Sequence, residues 1–174
     1  MAKRVIAIGG VPATGKTTMM REIIKNYLPL KTFKYKLVRG LYNNKSNIYI
    51  IGIYDNSLFS GTDKLSMAVQ PDFLELVNKT SDATFIFEGD RLFNSSLFSK
   101  VDCDIFVLKV DEDIIEKRHI DRKDNQTEKF KKSKQTKIQN IIEKHKPIIL
   151  NNNNKKESQK NLELILNTIK NEQN

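Results

Sequence analysis

Residues Gly10 to Thr17 read Gly-Val-Pro-Ala-Thr-Gly-Lys-Thr, a match to the pattern G-x-x-x-x-G-K-[ST]. Few stretches of this length restrict a fold so strongly. The pattern works only between a strand that delivers it and a helix that leaves it, because its backbone N–H groups must wrap a phosphate where the helix dipole is positive. Both flanks are present. Val5 to Ile8 is an apolar run of the kind buried on both faces of a parallel sheet. Thr17 to Tyr27 carries Met19, Met20, Ile23, Ile24 and Tyr27 at helical spacing, and Pro29 ends it. Gly10, Val11, Pro12, Ala13, Thr14, Gly15, Lys16, Thr17 and Thr18 are therefore the expected nucleotide-binding residues. Lys16 is expected to reach the β- and γ-phosphate oxygens of ATP as a catalytic point charge, and the Thr17 hydroxyl to be a ligand of Mg²⁺. Gly10 and Gly15 supply backbone freedom, while Pro12 and Ala13 stiffen the loop.

Further along, Phe33 to Leu41 and Ile48 to Tyr54 read as two strands joined by a hairpin turn at Asn43-Asn44-Lys45-Ser46. That pairing puts Asp55 at a strand end, where ligands meet an α/β sheet. A polar loop, Gly61 to Met67, leads to a helix from Pro71 to Lys79, with Pro71 at its first position. Thr84 to Phe87 is another buried strand, and Glu88-Gly89-Asp90-Arg91 follows it. An apolar run ending in an acid is the arrangement in which a carboxylate holds Mg²⁺ beside the loop hydroxyl, so Glu88 joins Thr17 as a candidate metal residue. A short helix, Leu92 to Ser99, precedes the strand Ile105 to Val110. Pro147 to Leu150 is the last strand, and Asn151 to Asn154, which could be a loop near the adenine but reads more simply as low-complexity linker, is assigned no role. Ser158 to Ile169 forms the final helix, and Asn171 to Asn174 a frayed tail.

Charge is distributed unevenly. The 174 residues carry a net charge of +9, and Ile114 to Lys146 alone holds eleven basic residues against five acids, a difference of +6. This asymmetry suggests a basic helical lid that faces phosphates. Arg118 and Arg122, four apart on one helix face just after a strand, are the candidate catalytic arginines that close over the γ-phosphate. Lys131, Lys132, Lys134 and Lys137, with Phe130 among them as a possible stacking group, are candidate substrate contacts, as a DNA acceptor rewards a broad basic patch. Cys103 is the only cysteine, which excludes an internal disulfide, and it reads as a small buried thiol. His119 and His145 lack zinc-ligand spacing, and no 18-residue apolar span or signal-peptide core appears. The expectation is one cytoplasmic domain with no membrane partner.

Strands alternating with helices behind such a loop imply a three-layer α/β fold with a mainly parallel sheet. Asn43-Asn44-Lys45-Ser46 lacks the Asp of a guanine-reading N-K-x-D and comes too early, which argues against a switch GTPase. The chain is short for a motor ATPase with its own lid domain. A kinase fits better, transferring phosphate to a hydroxyl that a carboxylate orients or deprotonates. Asp63 is the chosen acid and Asp55 the reserve; Ser66, Asp90 and Arg91 are further substrate candidates.

The loop Gly-Gly-Val-Pro-Ala-Thr-Gly-Lys-Thr-Thr, the segment Gly61 to Met67, Glu88-Gly89-Asp90-Arg91 and the basic tract ending Lys134-Gln135-Thr136-Lys137 resemble phage-encoded P-loop kinases of the thymidylate kinase-like superfamily. These include the hydroxymethyluracil DNA kinases. Asp90-Arg91-Leu92 departs from the Asp-Arg-Tyr-type motif of thymidylate kinase by lacking the Tyr. The resemblance implies ATP and Mg²⁺ as cofactors and a hydroxymethylated base in phage DNA as acceptor, within host cytoplasm. Two other readings stay open: a nucleoside or nucleoside monophosphate kinase, and a nucleic-acid-dependent ATPase whose acceptor is water.

Overall fold

Alternation along the first strand sets the architecture. In β1 (Arg4–Gly9), Val5 and Ala7 join one buried apolar cluster and Ile6 and Ile8 another, so the strand is covered on both faces. The same split recurs in β5 (Thr84–Glu88), with Phe85 and Phe87 on one side and Ile86 on the other, and in β6 (Asp104–Lys109). In this computed structural model, which describes residues 4–56, 60–123 and 126–170, helices meet both clusters. α1 (Lys16–Asn26) and α6 (Lys155–Lys170) bury Met19, Met20, Ile23, Leu162, Ile165 and Ile169 against one face. α2 (Val69–Lys79), α3 (Ser95–Phe98) and α5 (Glu128–His145) bury Phe73, Val77, Leu97, Ile138 and Ile141 against the other. The result is three layers. The predicted tail at 171–174 lies outside the described residues.

Seven strands form one sheet in the order β2-β3-β4-β5-β1-β6-β7. β4 (Ile48–Ile51), β5, β1, β6 and β7 (Ile148–Asn151) run parallel, while β2 (Lys31–Tyr35) and β3 (Val38–Asn43) add an antiparallel edge. After β1 the chain builds the β2 to β5 side first and then crosses to β6 and β7. β1 is therefore the point where the strand order reverses, and the crevice beyond its C-terminal end is the natural ligand position.

Several expected boundaries shift. Phe33 to Leu41, read as one strand, is two, because the chain reverses at Lys36 and Leu37 with Tyr35 paired to Val38 and Lys36 at φ 50°. No Gly or Asn marks that turn, so its composition gives no warning. The Asn43 to Ser46 hairpin turn is present, with Asn43 opposite Ile48 and its Oδ1 accepting the Ser46 N–H at 2.8 Å. The following strand stops at Ile51 rather than Tyr54. Pro71 is the third residue of α2, not the first; N–H groups of the first turn have no helical partner, so it loses no bond there. The Leu92 to Ser99 helix shrinks to α3, capped by Asn94, whose Oδ1 accepts the Leu97 N–H. The basic lid is two helices, α4 (Glu112–Asp121) and α5. Cys103 is half-buried against the α2-side cluster, and burial, with Asp104 and Asp102 nearby, pushes its thiol up to about 12. Among the described residues no helix is long and apolar enough to cross a membrane.

Candidate active site

The chain leaves β1 at Gly9, wraps through Gly10 to Gly15 and enters α1 at Lys16. Gly15 precedes the helix at φ 94°. Nothing caps the first turn: Gly15 offers no side chain, and the backbone N–H groups of Thr14, Gly15, Lys16, Thr17 and Thr18 have no acceptor among the described residues. Uncapped N–H groups at a helix start carry the positive end of the dipole, so this loop is a concentration of unspent donors. Thr14, fully buried, donates its Oγ1 proton to the Val11 carbonyl at 2.8 Å and closes the loop on itself. Lys16 bends back over it, its Nζ donating to the Gly10 carbonyl at 2.9 Å and the Val11 carbonyl at 3.0 Å. Burial lowers the Lys16 pKa, opposed by Glu88, Asp90 and Asp63.

Glu88 closes β5, beside Ile8 of β1, and is 2% exposed. Tyr54 Oη donates to its Oε1 at 3.1 Å, and Thr17 Oγ1 lies 3.5 Å from the same oxygen. Desolvation raises the Glu88 carboxyl to about 7 against the pull of Lys16. Tyr54, half-buried beside that carboxylate, is raised well above its ordinary value by desolvation and stays a donor. Gly61, at φ 81°, packs against Glu88, since a Cβ there would stand 2.1 Å from Oε1. This is a carboxylate deprived of water and short of cations, next to a hydroxyl at a helix start. Mg²⁺ asks for one or two such oxygens and takes the rest of its shell from phosphate and water. Thr17 and Glu88 fit that requirement.

A cleft of about 1040 Å³ opens over the loop, at the C-terminal ends of β1 and β5. Gly10, Pro12, Ala13, Gly15, Lys16, Thr17 and Thr18 line it, together with Asp63, Glu88, Asp90, Arg118, Arg122, Phe130, Lys134 and Lys137. Most of the expected site thus converges. Asp63 belongs to a single 3-10 turn, Thr62–Lys64, and its Oδ1 accepts the Asp90 N–H at 2.8 Å. Asp90 holds ion pairs with Lys134 and, at 3.3 Å, Lys137, so α5 is tied to the end of β5. Burial would raise the Asp90 pKa, but those two lysines outweigh it and hold the carboxyl below its ordinary value. Lys134 Nζ also lies 5.1 Å from the centre of the Phe130 ring.

Other candidates are placed elsewhere. Asp55 pairs with Lys64 and does not line the cleft, which separates it from Asp63. Ser66 Oγ accepts the Ala68 N–H at 3.2 Å, and Arg91 Nε donates to the Leu65 carbonyl at 3.2 Å, so both brace the loop before α2. Lys131 sits near Glu128 at 3.5 Å, and neither it nor Lys132 lines the cleft. Arg118 and Arg122, the latter just past α4, both line the cleft, but Arg118 is committed to backbone: Nη1 donates to the Ala13 carbonyl at 3.0 Å and Nη2 to the Asn152 carbonyl at 3.2 Å.

The asparagine run, expected to be a linker, is specifically bonded. Asn153 Oδ1 accepts the Asp111 N–H, Asn154 Oδ1 caps α6 at Glu157, and buried Asn152 reaches the loop, its Nδ2 donating to the Thr14 carbonyl at 2.8 Å. The available signal was position: the run directly follows a strand whose end faces the same crevice as Gly9. Compared with known proteins, the chain matches no protein-family model and no curated protein sequence.

Proposed function

We propose that this protein is an ATP-dependent phosphotransferase that moves the γ-phosphate to a hydroxyl acceptor. The observation that carries the reading is the set of N–H groups from Thr14 to Thr18 without an acceptor among the described residues, in a loop whose Gly15, Lys16, Thr17 and Thr18 line one cleft with Glu88. Neutral amides at a helix start recognise an anion at little desolvation cost, and Lys16 exchanges two loop carbonyls for phosphate oxygens when they arrive. Thr17 and Glu88 would hold Mg²⁺, which neutralises charge on the phosphates when bound. Arg122 adds a cation over the same cleft.

Asp63 is the acceptor-side acid in this reading. It lines the cleft, and its bond to the Asp90 N–H fixes the carboxylate where it can orient an entering hydroxyl and accept its proton. The cleft, at about 1040 Å³, stands at the upper end of the roughly 300 to 1,000 Å³ usual for small-molecule sites. The resemblance in sequence favours a hydroxymethylated base in DNA as that acceptor. Phe130, 42% exposed at the cleft beside Lys134, offers a stacking surface that suits a base in DNA or in a free nucleoside equally.

Transfer of γ-labelled phosphate to ordinary DNA, hydroxymethyluracil DNA, nucleosides and nucleoside monophosphates tests the reading. Label on the modified DNA alone identifies a base-directed DNA kinase. Label confined to small molecules identifies a nucleoside or nucleotide kinase. Release of free phosphate alone, stimulated by DNA, overturns the kinase reading in favour of an ATPase.

A further inference from the structure

We propose that Asn152 is a positioning residue for phosphate binding: its side-chain amide pins the Thr14 carbonyl and so turns the Gly15 N–H toward the bound phosphate. The inference rests on the phosphate-binding reading above. A trans peptide is planar, with its C=O and N–H pointing in opposite directions, so fixing one fixes the other. Asn152 Nδ2 donates to the Thr14 carbonyl at 2.8 Å in a buried setting, and the N–H of that same peptide belongs to Gly15, which has no acceptor among the described residues. The peptide before it is held in the same way, because Arg118 Nη1 donates to the Ala13 carbonyl and leaves the Thr14 N–H unspent.

The orientation of the Asn152 amide is itself determined. Asn161 Nδ2 donates to the Asn151 carbonyl at 2.8 Å, an atom that only accepts, which fixes the Asn161 amide. The same Nδ2 donates to Asn152 Oδ1 at 3.3 Å, and Asn152 must then present its NH₂ to Thr14. Asn152 is held further by its own backbone, whose N–H donates to the Lys109 carbonyl at 2.8 Å and whose carbonyl accepts from Arg118. With Asn152 3% exposed and Asn161 6% exposed, water does not compete for these bonds. Gly15 is part of the same device: at φ 94°, a Cβ on it would stand 2.7 Å from Asn152 Nδ2, so a side chain there would displace the amide. The second asparagine of an apparent low-complexity run thus supports the donor array from the buried side.

Calorimetric titration of ADP and AMP into the full chain, with the Gly15 amide followed by NMR, tests this. Asn152→Asp keeps the shape but sets an acceptor against the Thr14 carbonyl. ADP affinity should fall at least about tenfold while AMP affinity changes less than about twofold, and the Gly15 amide proton should lose the downfield shift that ADP produces in the parent protein. A merely structural role would weaken both ligands together, and that result, or an unchanged ADP to AMP ratio, overturns the inference. If circular dichroism finds Asn152→Asp unfolded, Asn161→Ala, which removes the donor that orients Asn152, is read against the same two outcomes. A parent protein that binds neither ADP nor inorganic tripolyphosphate would overturn the phosphate-binding reading itself.

Discussion

Glu88 and Asp90 stand two residues apart at the end of one strand, yet their surroundings push them in opposite directions. Glu88, buried against Tyr54 and Gly61, rises to about 7, whereas Asp90, gripped by Lys134 and Lys137, falls below its ordinary value. The first belongs to the half of the cleft built by the Gly10 to Thr17 loop, where backbone donors lack an acceptor among the described residues and a carboxylate meets only the hydroxyls of Tyr54 and Thr17. The second belongs to the half built by Asp63 and α5, where the charges already satisfy one another. An unsatisfied half stores affinity for what it lacks, here an anion and a cation together. A satisfied half must exchange partners to bind, so it contributes selectivity and order of binding more than affinity.

The largest effects should come from the unsatisfied half. Lys16→Ala should lower turnover by roughly 10³-fold, the scale on which preorganised charge at a reacting centre acts. Asp63→Asn, on the other side, should lower transfer to the acceptor by about 10²-fold or more while leaving ADP affinity nearly intact. Steady-state transfer paired with ADP titration checks both. Equal loss of ADP binding in the two variants would erase the division between the halves.

Next in size is the cost of keeping Glu88 buried. Its carboxyl is raised in the folded state, so the unfolded chain gives up that proton first and stability falls as pH rises from 4.5 through about 7. The full cost above that range is about 3 kcal/mol in metal-free, nucleotide-free protein. Glu88→Gln keeps an acceptor for Tyr54 and carries no charge. It should therefore be more stable than the parent at pH 8 and equal to it near pH 4, by urea denaturation in EDTA. The same variant should bind ATP with Mg²⁺ more weakly. A parallel pH dependence in both proteins would mean that the site already neutralises Glu88.

The two halves also differ in how far sequence reveals them. The loop half is local: its donors belong to consecutive residues, and the spacing from Gly10 to Thr17 is the geometry itself. The parallel sheet was legible for a related reason, since Val5 to Ile8, Thr84 to Phe87 and Ile105 to Val110 are apolar on both faces. The other half gathers Asp63, Asp90, Phe130, Lys134 and Lys137 from three segments, and only tertiary packing decides which lysines of the basic tract face inward. Lys131 and Lys132 have the same composition around them as Lys134 and differ in helical phase. Asn152 was hidden for a third reason. Its partners, Thr14 and Asn161, are 138 and 9 residues away, and a run of four asparagines resembles linker.

Asp90→Asn should have a smaller effect on folding, since its lysines are about a quarter to a third exposed and such pairs contribute about 1 kcal/mol or less. Because the Asp90 pKa is depressed, that contribution is present above its ordinary value of 3.8 and is lost as pH falls below it. Parent and variant should converge in acid. Freed from Asp90, Lys134 and Lys137 should bind a polyanion more readily, so the salt dependence of DNA binding should steepen in the variant. An unchanged salt slope would mean that these two lysines do not meet the acceptor.

The smallest effect expected lies inside the loop, at Ala13, which adopts φ 68° where an L-residue is strained. Relief of that strain by glycine is worth about 1 to 2 kcal/mol. Glycine also enlarges the unfolded ensemble, at a cost of about 0.4 to 1 kcal/mol, so Ala13→Gly should change folding stability by about 0 to 1.6 kcal/mol, in the stabilising direction. Its effect on binding should have the opposite sign. With Arg118 holding the Ala13 carbonyl, the alanine keeps few alternatives to the observed conformation, and the Thr14 N–H stays aimed without ligand. Glycine at this position would let the peptide rotate and must be reordered when phosphate binds, which should weaken ADP by about two- to fivefold. Urea denaturation and ADP titration on the one variant measure both signs. Gains in both quantities together would mean that the strain at Ala13 opposes binding, and that the unsatisfied half is not held ready by its own backbone.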